Sequence, residues 1–234
     1  MVEKTILVLG SKPDPILPPP LAYQELACAN GSGASAFGKR LAIPAFTVMS
    51  AILGSGITSG RQTLEVLQGL QTTELYFFPR PPSAVSVGKQ LTHPLQSIRT
   101  RSWYLKHRLR SLSYSYERFF DFRYSFYHDL VMNLCEQSPE VLKTIQHKQP
   151  STGLMTVALA LSRSEQVIIA GFSFELTHAY DRNPEIDERG TQISRHANTD
   201  ITILRCLSRK CPQLETTEPV VAESTGIRLY NDNR

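Results

Sequence analysis

The chain has 234 residues, of which 41% are hydrophobic and 20% are charged, so it has material for a sizeable core and is not a disordered protein. Its formal net charge of +4 at pH 7 is below what a dedicated nucleic-acid-binding domain usually carries. This mildly basic balance suits a protein that meets anionic partners, such as an anionic ligand or an anionic membrane surface.

The sequence contains no apolar run near the ~20 residues that a membrane-spanning helix needs. The run Thr5–Leu9 is also too short for the hydrophobic region of a signal peptide. The cysteines form no CxxC pair and have no histidines beside them, which argues against a zinc site. We therefore expect a cytoplasmic protein, soluble or peripheral, with reduced thiols.

Two buried parallel strands, each followed by a glycine-rich loop, are predicted near the N-terminus. Thr5–Leu9 is a continuous β-branched and aliphatic run that ends at Gly10. Glu25–Ala29 is a second short strand, and the loop 30–35 follows it. Further along, the pattern predicts strands at 46–49 and 75–78 and a helix at 60–71.

Residues 80–130 differ in character, because basic and aromatic side chains alternate along them. The basic ones are Arg99, Arg101, Lys106, Arg108 and Arg110, and the aromatic ones run from Trp103 to Tyr127. Such a stretch is typical of a nucleic-acid surface, of an amphipathic segment resting on a membrane, or of an ordinary helical insert with a solvated face. We assign residues 81–147 to a helical insert that serves as an acceptor-side lid.

The alternation of strands and helices returns after Pro150. A helix is predicted over 151–162, a strand over 166–170 that ends at Gly171, and a helix over 199–208. Strands that alternate with helices predict an open parallel Rossmann-like α/β sheet flanked by helices. We assign this sheet domain to residues 1–80 and 148–234. Ligands of such sheets bind beyond the carboxyl ends of the strands.

Two candidate binding loops follow the first two strands. Gly10 allows the backbone to approach a phosphate closely, and the next residue, Ser11, is a small polar side chain that suits ribose or phosphate. After the second strand, the Asn30-Gly31-Ser32 sequence offers a side-chain amide with donor and acceptor atoms. Each loop taken alone is equally typical of a structural turn.

Two further candidates lie at predicted helix starts. The Pro-Ser-Thr-Gly sequence at 150–153 opens a helix, whose free N–H groups suit a carboxylate or phosphate, although a simple N-cap has the same sequence. His196 precedes Asp200 by four residues, which places both on one helical face. A histidine there suits a general base, although lone histidines are more often structural.

Taken together, these residues resemble the sialyltransferases. The Pro-Ser-Thr-Gly helix and the strand ending in Gly171-Phe172 are similar to the small sialylmotif of the eukaryotic enzymes. The stretch 196–201 is similar to the His-Ser-x-Asn-Thr-Asp-Ile sequence of bacterial lipooligosaccharide sialyltransferases, with one residue fewer. The resemblance covers two blocks, 5–35 and 150–207, and does not extend to 36–149.

The resemblance implies a role for each matched residue. His196 is the implied base that deprotonates the acceptor hydroxyl, and His178 or Tyr180 the residue that stabilises the departing phosphate. Ser151, Thr152 and Gly153 are the implied holders of the donor carboxylate and nucleotide. The rest of the implied nucleotide-sugar site consists of Gly10, Ser11, Asn30, Gly31, Ser32 and Gly171.

The implied activity is a glycosyltransferase that moves an acidic 2-keto sugar, sialic acid or Kdo, from a CMP-activated donor. The implied acceptor is a glycan or a lipid-linked oligosaccharide in the synthesis of bacterial surface polysaccharide or lipopolysaccharide. No DxD motif stands in a suitable loop, so we expect neither a metal nor another cofactor. Peripheral contact with the inner membrane face is left open, and nucleic acid is not an expected partner.

Two departures from the family leave alternatives open. Ser11 replaces an asparagine, and Glu175 replaces a tyrosine of the bacterial enzymes, so the donor site differs. One alternative is a retaining Kdo transferase that uses Asp14, Glu175 or Asp181 as a carboxylate nucleophile. The other is a non-catalytic nucleic-acid or membrane-surface module built on residues 99–127.

Overall fold

A computed structural model of the chain describes residues 4–55, 58–80, 98–174 and 196–231. Among these residues, eight strands form one sheet: β1 Thr5–Leu9, β2 Glu25–Ala29, β3 Phe46–Ser50, β4 Gln71–Phe78, β5 Ser115–Phe120, β6 Gln166–Ala170, β7 Leu214–Thr216 and β8 Arg228–Leu229. The helices are α1 Ser32–Gly38, α2 Thr58–Glu65, α3 Ser102–Ser111, α4 Tyr124–Leu134, α5 Pro139–His147, α6 Thr152–Leu161, α7 Ala197–Lys210 and α8 Pro219–Thr225.

All neighbouring strands are parallel, in the order β5-β4-β3-β2-β1-β6-β7-β8. The chain lays β2 to β5 outward on one side of β1 and then crosses over to place β6 on the other side. The strand order therefore reverses between β1 and β6, which is where open α/β sheets leave a crevice for a ligand. The predicted parallel α/β fold is confirmed.

Helices cover both faces of the sheet, because successive strand residues point to opposite sides. In β1, Ile6 and Val8 pack into a core with α4, α5, α6 and α7. Leu7 and Leu9 face the opposite side, where they pack with α1. On that same side, α2 and α3 cover β3 and β4. Strands buried on both faces explain the continuous apolar runs in the sequence.

Helix α6 is the central helix of the fold. It packs on β1, β2, β3 and β6 and against α4, and all of its residues except Gly153 are buried. A helix that is apolar on every side must be enclosed, so its position is set by protein on every side. Its N-terminus therefore lies at a fixed place beside the crevice between β1 and β6.

Strands β1, β2 and β6 have the predicted bounds, and α6 begins and ends within one residue of its prediction. The helix predicted over 60–71 is wrong in its second half: α2 ends at Glu65, and β4 begins at Gln71. Gly69 adopts a φ of +71°, which takes the chain out of the helical region. The loop predicted over 30–35 is likewise wrong from Ser32, where α1 begins.

The expectation that residues 81–147 are helical is wrong for Ser115–Phe120, because this stretch is β5 and pairs with β4. The buried carboxylate of Glu74 in β4 pairs with Arg118 of β5 and, at 2.6 Å, with Arg163 beyond α6. Aromatic side chains favour a strand here because they pack well on a half-buried sheet surface. A lid role for the segment stays a prediction, and residues 81–97 lie outside the described ranges.

All four cysteines, at positions 28, 135, 206 and 211, are buried and free. In the part of the chain that the structure describes, no helix is long and apolar enough to cross a membrane.

Candidate active site

A cleft opens beyond the carboxyl ends of β1 to β4 and β6, between the N-termini of α6 and α7. The structure brings most of the predicted site residues together in its lining: Gly10, Ser11, Asn30, Ser151, Thr152, Gly153, Gly171 and His196. Gly31 and Ser32 do not line it. His178 and Tyr180 lie outside the described residues.

The loops after β1 and β6 touch at the point where the strand order reverses. A Cβ atom on Gly10 would lie only 2.2 Å from the carbonyl oxygen of Gly171, so the two backbones are in direct contact. Gly171 adopts a φ of +69°, and its carbonyl accepts a hydrogen bond from the Lys12 N–H at 2.9 Å. Glycine at both positions therefore gives the floor of the cleft a bare backbone surface.

Gly10→Ala is expected to lower the free energy of unfolding by about 1–3 kcal/mol, because its new methyl group meets backbone that cannot move aside cheaply. Gly38→Ala is the matched control, since a Cβ at the end of α1 would meet nothing within 4 Å. The control should be as stable as the native chain or more stable. Urea denaturation measures both, and equal midpoints would contradict the close approach at Gly10.

Glu218, just after β7, holds the loops that follow β1 and β6 in place. Its side chain is fully buried, and Oε1 accepts hydrogen bonds from the backbone N–H groups of Gly171 at 2.9 Å and Ile16 at 3.0 Å. Its other oxygen, Oε2, pairs with the Lys12 ammonium at 2.5 Å. One carboxylate thus holds both ends of the loop that follows β1.

Asn30 and Ser32 shape the wall formed by the loop after β2. Asn30 has a φ of +48°, and its Oδ1 accepts a hydrogen bond from the Ser50 N–H at 2.9 Å. Its Nδ2 donates to no other described residue, so the NH₂ group suits an acceptor atom of a ligand. Ser32 is fully buried: its hydroxyl donates to the Leu9 carbonyl and accepts from the Ala29 N–H, both at 2.9 Å. Ser32 therefore joins the ends of β1 and β2.

The N-terminus of α6 is the candidate anion-binding element of the cleft. Ser151 is the N-cap, and its Oγ accepts a hydrogen bond from the Leu154 N–H at 3.1 Å. The residues between them, Thr152 and Gly153, line the cleft, and their N–H groups belong to the first helical turn, where N–H groups lack intrahelical partners. This end of the helix carries partial positive charge and suits a carboxylate or a phosphate.

His196 is held directly beside that helix end. Its Nδ1 lies 2.8 Å from the carbonyl oxygen of Gln149, two residues before the N-cap of α6. A carbonyl oxygen only accepts hydrogen bonds, so Nδ1 carries the proton and the neutral ring has its lone pair on Nε2. The ring lines the cleft, so this arrangement is suited to accept a proton from a bound hydroxyl group.

Asp200 makes a second link between α7 and α6. Its Oδ1 accepts a hydrogen bond from the Ser151 N–H at 2.9 Å, and the residue also lines the cleft. Burial raises the pKa of this carboxyl to about 7, and the hydrogen bond from Ser151 opposes that rise only in part. Near neutral pH a large fraction of Asp200 is thus uncharged, which reduces its repulsion of an anion bound at α6.

Several lining residues were missed from the sequence, among them Ser50, Ile52, Arg80, Gln149 and Phe172. Arg80 is the only lysine or arginine in the described lining, and it follows β4 as Gly10 follows β1. The rule that ligands bind at strand ends was a sufficient signal for Ser50 and Arg80. Within the described ranges, no group of three or more His, Cys, Asp or Glu side chains is placed to hold a metal ion.

Comparisons with known proteins agree on one fold. No protein-family model matches the sequence, and no curated protein does either. A structure of the sialyltransferase CstII bound to CMP has a TM-score of 0.61 and 15% identity, over 98% of this chain and 87% of that one. CstII bound to a trisaccharide acceptor and CMP has a TM-score of 0.57 and 14% identity, over 98% and 87% of the two chains.

A second sialyltransferase has the same architecture. The monofunctional α-2,3-sialyltransferase Cst-I from Campylobacter jejuni, the source of CstII as well, has a TM-score of 0.54 and 12% identity, over 99% of this chain and 82% of that one. At these identities the likeness concerns the fold. Along nearly its whole length, the chain therefore has the fold of the Campylobacter sialyltransferases.

Proposed function

We propose that the protein is a glycosyltransferase that moves an acidic 2-keto sugar, sialic acid or Kdo, from a CMP-activated donor to a glycan acceptor, without a metal. One observation carries the proposal: the Gln149 carbonyl holds His196 directly beside the N-terminus of α6. A candidate base and a candidate anion site thus form one unit at the reversal of strand order. The fold shared with CMP-bound CstII supports the choice of donor.

The donor carries two negative groups, a carboxylate and a phosphate, and the cleft has two kinds of group for them. The N–H groups at the start of α6 and the Thr152 hydroxyl suit the carboxylate or the phosphate. The bare backbone at Gly10, the Ser11 hydroxyl and the Asn30 amide suit the nucleotide. We assign the CMP moiety to the floor between β1 and β6.

The proposed reaction is a single displacement. Nε2 of His196 removes the proton from the acceptor hydroxyl while that oxygen forms a bond to the anomeric carbon of the sugar. The bond from that carbon to the phosphate oxygen breaks, and CMP leaves with the electron pair. The helix N-terminus stabilises the charge that grows on the phosphate. His178 or Tyr180, outside the described residues, is proposed to assist the same departure.

The acceptor is proposed to enter over the ends of β3 and β4, where Ser50, Ile52 and Arg80 line the cleft on the side away from α8. The CstII structure with a trisaccharide acceptor supports a glycan in this role. We propose an acceptor of bacterial surface polysaccharide or lipopolysaccharide synthesis, with residues 81–147 as an acceptor-side lid. A cytoplasmic location is part of the same proposal.

The retaining alternative needs a carboxylate nucleophile in the cleft. Asp14 is exposed and does not line the cleft. Glu175 and Asp181 lie outside the described residues. The single displacement is proposed on the position of His196 in the cleft lining, and a Kdo donor is compatible with it.

Nucleotide-dependent thermal shifts in EDTA test the proposal. CMP at about 100 times its Kd should stabilise the protein by about 2.7 kcal/mol, and UMP, which differs only in the base, should do much less. CMP-sialic acid and CMP-Kdo are then each offered with a glycan acceptor, and NMR identifies the product anomer. Equal thermal shifts with CMP and UMP would contradict the proposal. So would the absence of a product of inverted anomeric configuration with both donors.

The pH dependence of stability tests Asp200. Its pKa is about 7 in the folded chain and about 4 in the unfolded chain, so folding takes up a proton between these values. The contribution of Asp200 to the free energy of unfolding is fully present below about pH 4. It is lost as the pH rises to about 7, by up to about 1.4 kcal/mol per pH unit. Asp200→Asn keeps the oxygen acceptor, so its unfolding free energy should fall less over this range. Parallel curves from urea denaturation would argue against a raised pKa.

A further inference from the structure

The segment 98–111 carries five basic side chains and no acidic one: Arg99, Arg101, Lys106, Arg108 and Arg110. We call the surface formed by these residues and Trp103 the basic face. Among the described residues, no carboxylate forms a salt bridge with any of the five. The one acidic group at its start, Asp121, is bonded to the Ser102 hydroxyl. Lys106 lies over the aromatic ring of Phe119, with its ammonium 4.0 Å from the ring centroid.

Packing leaves two of the five cations, Arg101 and Arg110, exposed, and the other three are half-buried. Leu105 and Leu109 of α3 are buried in the core beneath the helix. Trp103, His107 and Arg110 follow each other at spacings of four and three residues, so they share the opposite side, and all three are exposed. This side of the helix thus carries Trp103 together with His107 and Arg110, and Arg101 is exposed just before the helix.

The aromatic residues predicted to alternate with these cations divide into two groups. Tyr114 and Tyr127 are buried, and Phe120 and Tyr124 pack against the core. Trp103 is 58% exposed and Phe126 of α4 is 36% exposed. The aliphatic side chain of Ile98, near Trp103, is 44% exposed. An exposed tryptophan among arginines is the composition of a surface that rests at the headgroup level of a bilayer.

The basic face begins at the wall of the cleft. A Cβ atom on Gly54 would lie 2.0 Å from the carbonyl oxygen of Arg99, so the backbone before α3 rests on the turn Ala51–Ser55. In that turn Ile52 lines the cleft and is itself 44% exposed. A surface that binds the basic face therefore also lies against the rim of the cleft.

We propose that the basic face docks the protein on an anionic membrane surface, with Trp103 at the headgroup level and the cleft rim facing the lipids. Charge complementarity selects this partner, and each cation near such a surface adds about fivefold to partitioning. Docking itself does not depend on the transferase activity. Only its consequence, access to a lipid-linked acceptor, rests on the proposed function.

Sedimentation with vesicles of phosphatidylglycerol and phosphatidylcholine in equal amounts tests the docking. The triple variant R101Q/K106Q/R110Q should partition about a hundredfold less than the native chain. The control K39Q/K143Q/R209Q removes three exposed charges elsewhere on the surface: one just after α1, one in α5 and one in α7. Its partitioning onto the vesicles should fall less than tenfold. Retained stabilisation of the triple variant by CMP shows that its cleft is intact, which separates this test from that of the proposed function.

Trp103 is the only tryptophan of the chain, so tryptophan fluorescence reports the environment of this residue alone. The fluorescence emission should shift to the blue when anionic vesicles are added, and brominated lipids should quench it. Vesicles of phosphatidylcholine alone should leave the emission unchanged. Equal partitioning of the two triple variants, or an unshifted emission, would overturn the proposal. Displacement of the vesicles by single-stranded RNA at an equal phosphate concentration would also overturn it, since the face would then be a nucleic-acid surface.

Discussion

His196→Ala is expected to lower kcat by about 10²–10⁴-fold while the stabilisation by CMP stays close to that of the native chain. The imidazole is proposed to act on the acceptor hydroxyl, and the nucleotide is proposed to bind at the floor between β1 and β6. Loss of the base therefore slows the transfer step without removing the main contacts of the donor. Transfer kinetics and CMP thermal shifts, measured on the same preparation, check the two halves of this expectation.

Two further variants separate proton transfer from positioning. His196→Asn keeps an N–H donor for the Gln149 carbonyl and removes the basic nitrogen, so it should be as inactive as the alanine variant. His147→Ala makes the same change at the exposed end of α5, outside the cleft, and should keep full activity. If His196→Asn were as active as the native chain, His196 would be a positioning residue and another group would be the base.

Glu218→Ala should destabilise the chain by about 3–5 kcal/mol, which corresponds to a fall in Tm of about 6–20 °C. The substitution leaves the N–H groups of Gly171 and Ile16 buried without their acceptor. Lys12 is 30% exposed and regains water, so the two N–H groups account for most of the cost. Calorimetry measures the change in Tm.

Glu218→Gln is the matched control, because its amide oxygen still accepts from both N–H groups, while the charge and the acceptor oxygen opposite Lys12 are lost. It should lose less than half as much stability as the alanine variant. CMP binding should weaken in the alanine variant at temperatures where it is folded, since its first cleft loop is no longer held. Equal losses in the two variants would show that the charge, and not the hydrogen bonds, holds the loop.

The sequence located those parts of the site that follow from local patterns. Gly10, Ser11 and Asn30 follow apolar runs, and carboxyl ends of parallel strands meet at one edge, so their convergence was predictable. The helix start at Ser151 was equally visible, because its N-cap residue precedes a regular apolar pattern. These local signals were sufficient to place most of the cleft.

The rest depends on contacts between distant segments. The partner of His196 is a backbone carbonyl, which any residue at position 149 provides, so no side-chain pattern indicates it. Ser32 resembles a ligand-binding serine in the sequence, yet its hydroxyl is used by the ends of β1 and β2. The strand β5 was hidden among basic and aromatic residues whose pattern equally suits a helix.

The reversal of strand order at β1 also bears on how the protein is made. Thr5 of β1 is in register with Gln166 of β6, and this pairing brings the two walls of the cleft together. During synthesis the first five strands can assemble outward from β1 while one side of β1 has no neighbour. Closing so long a loop is slow, and an open strand edge invites pairing with other chains. The nascent chain is therefore most prone to aggregate before the ribosome has delivered β6.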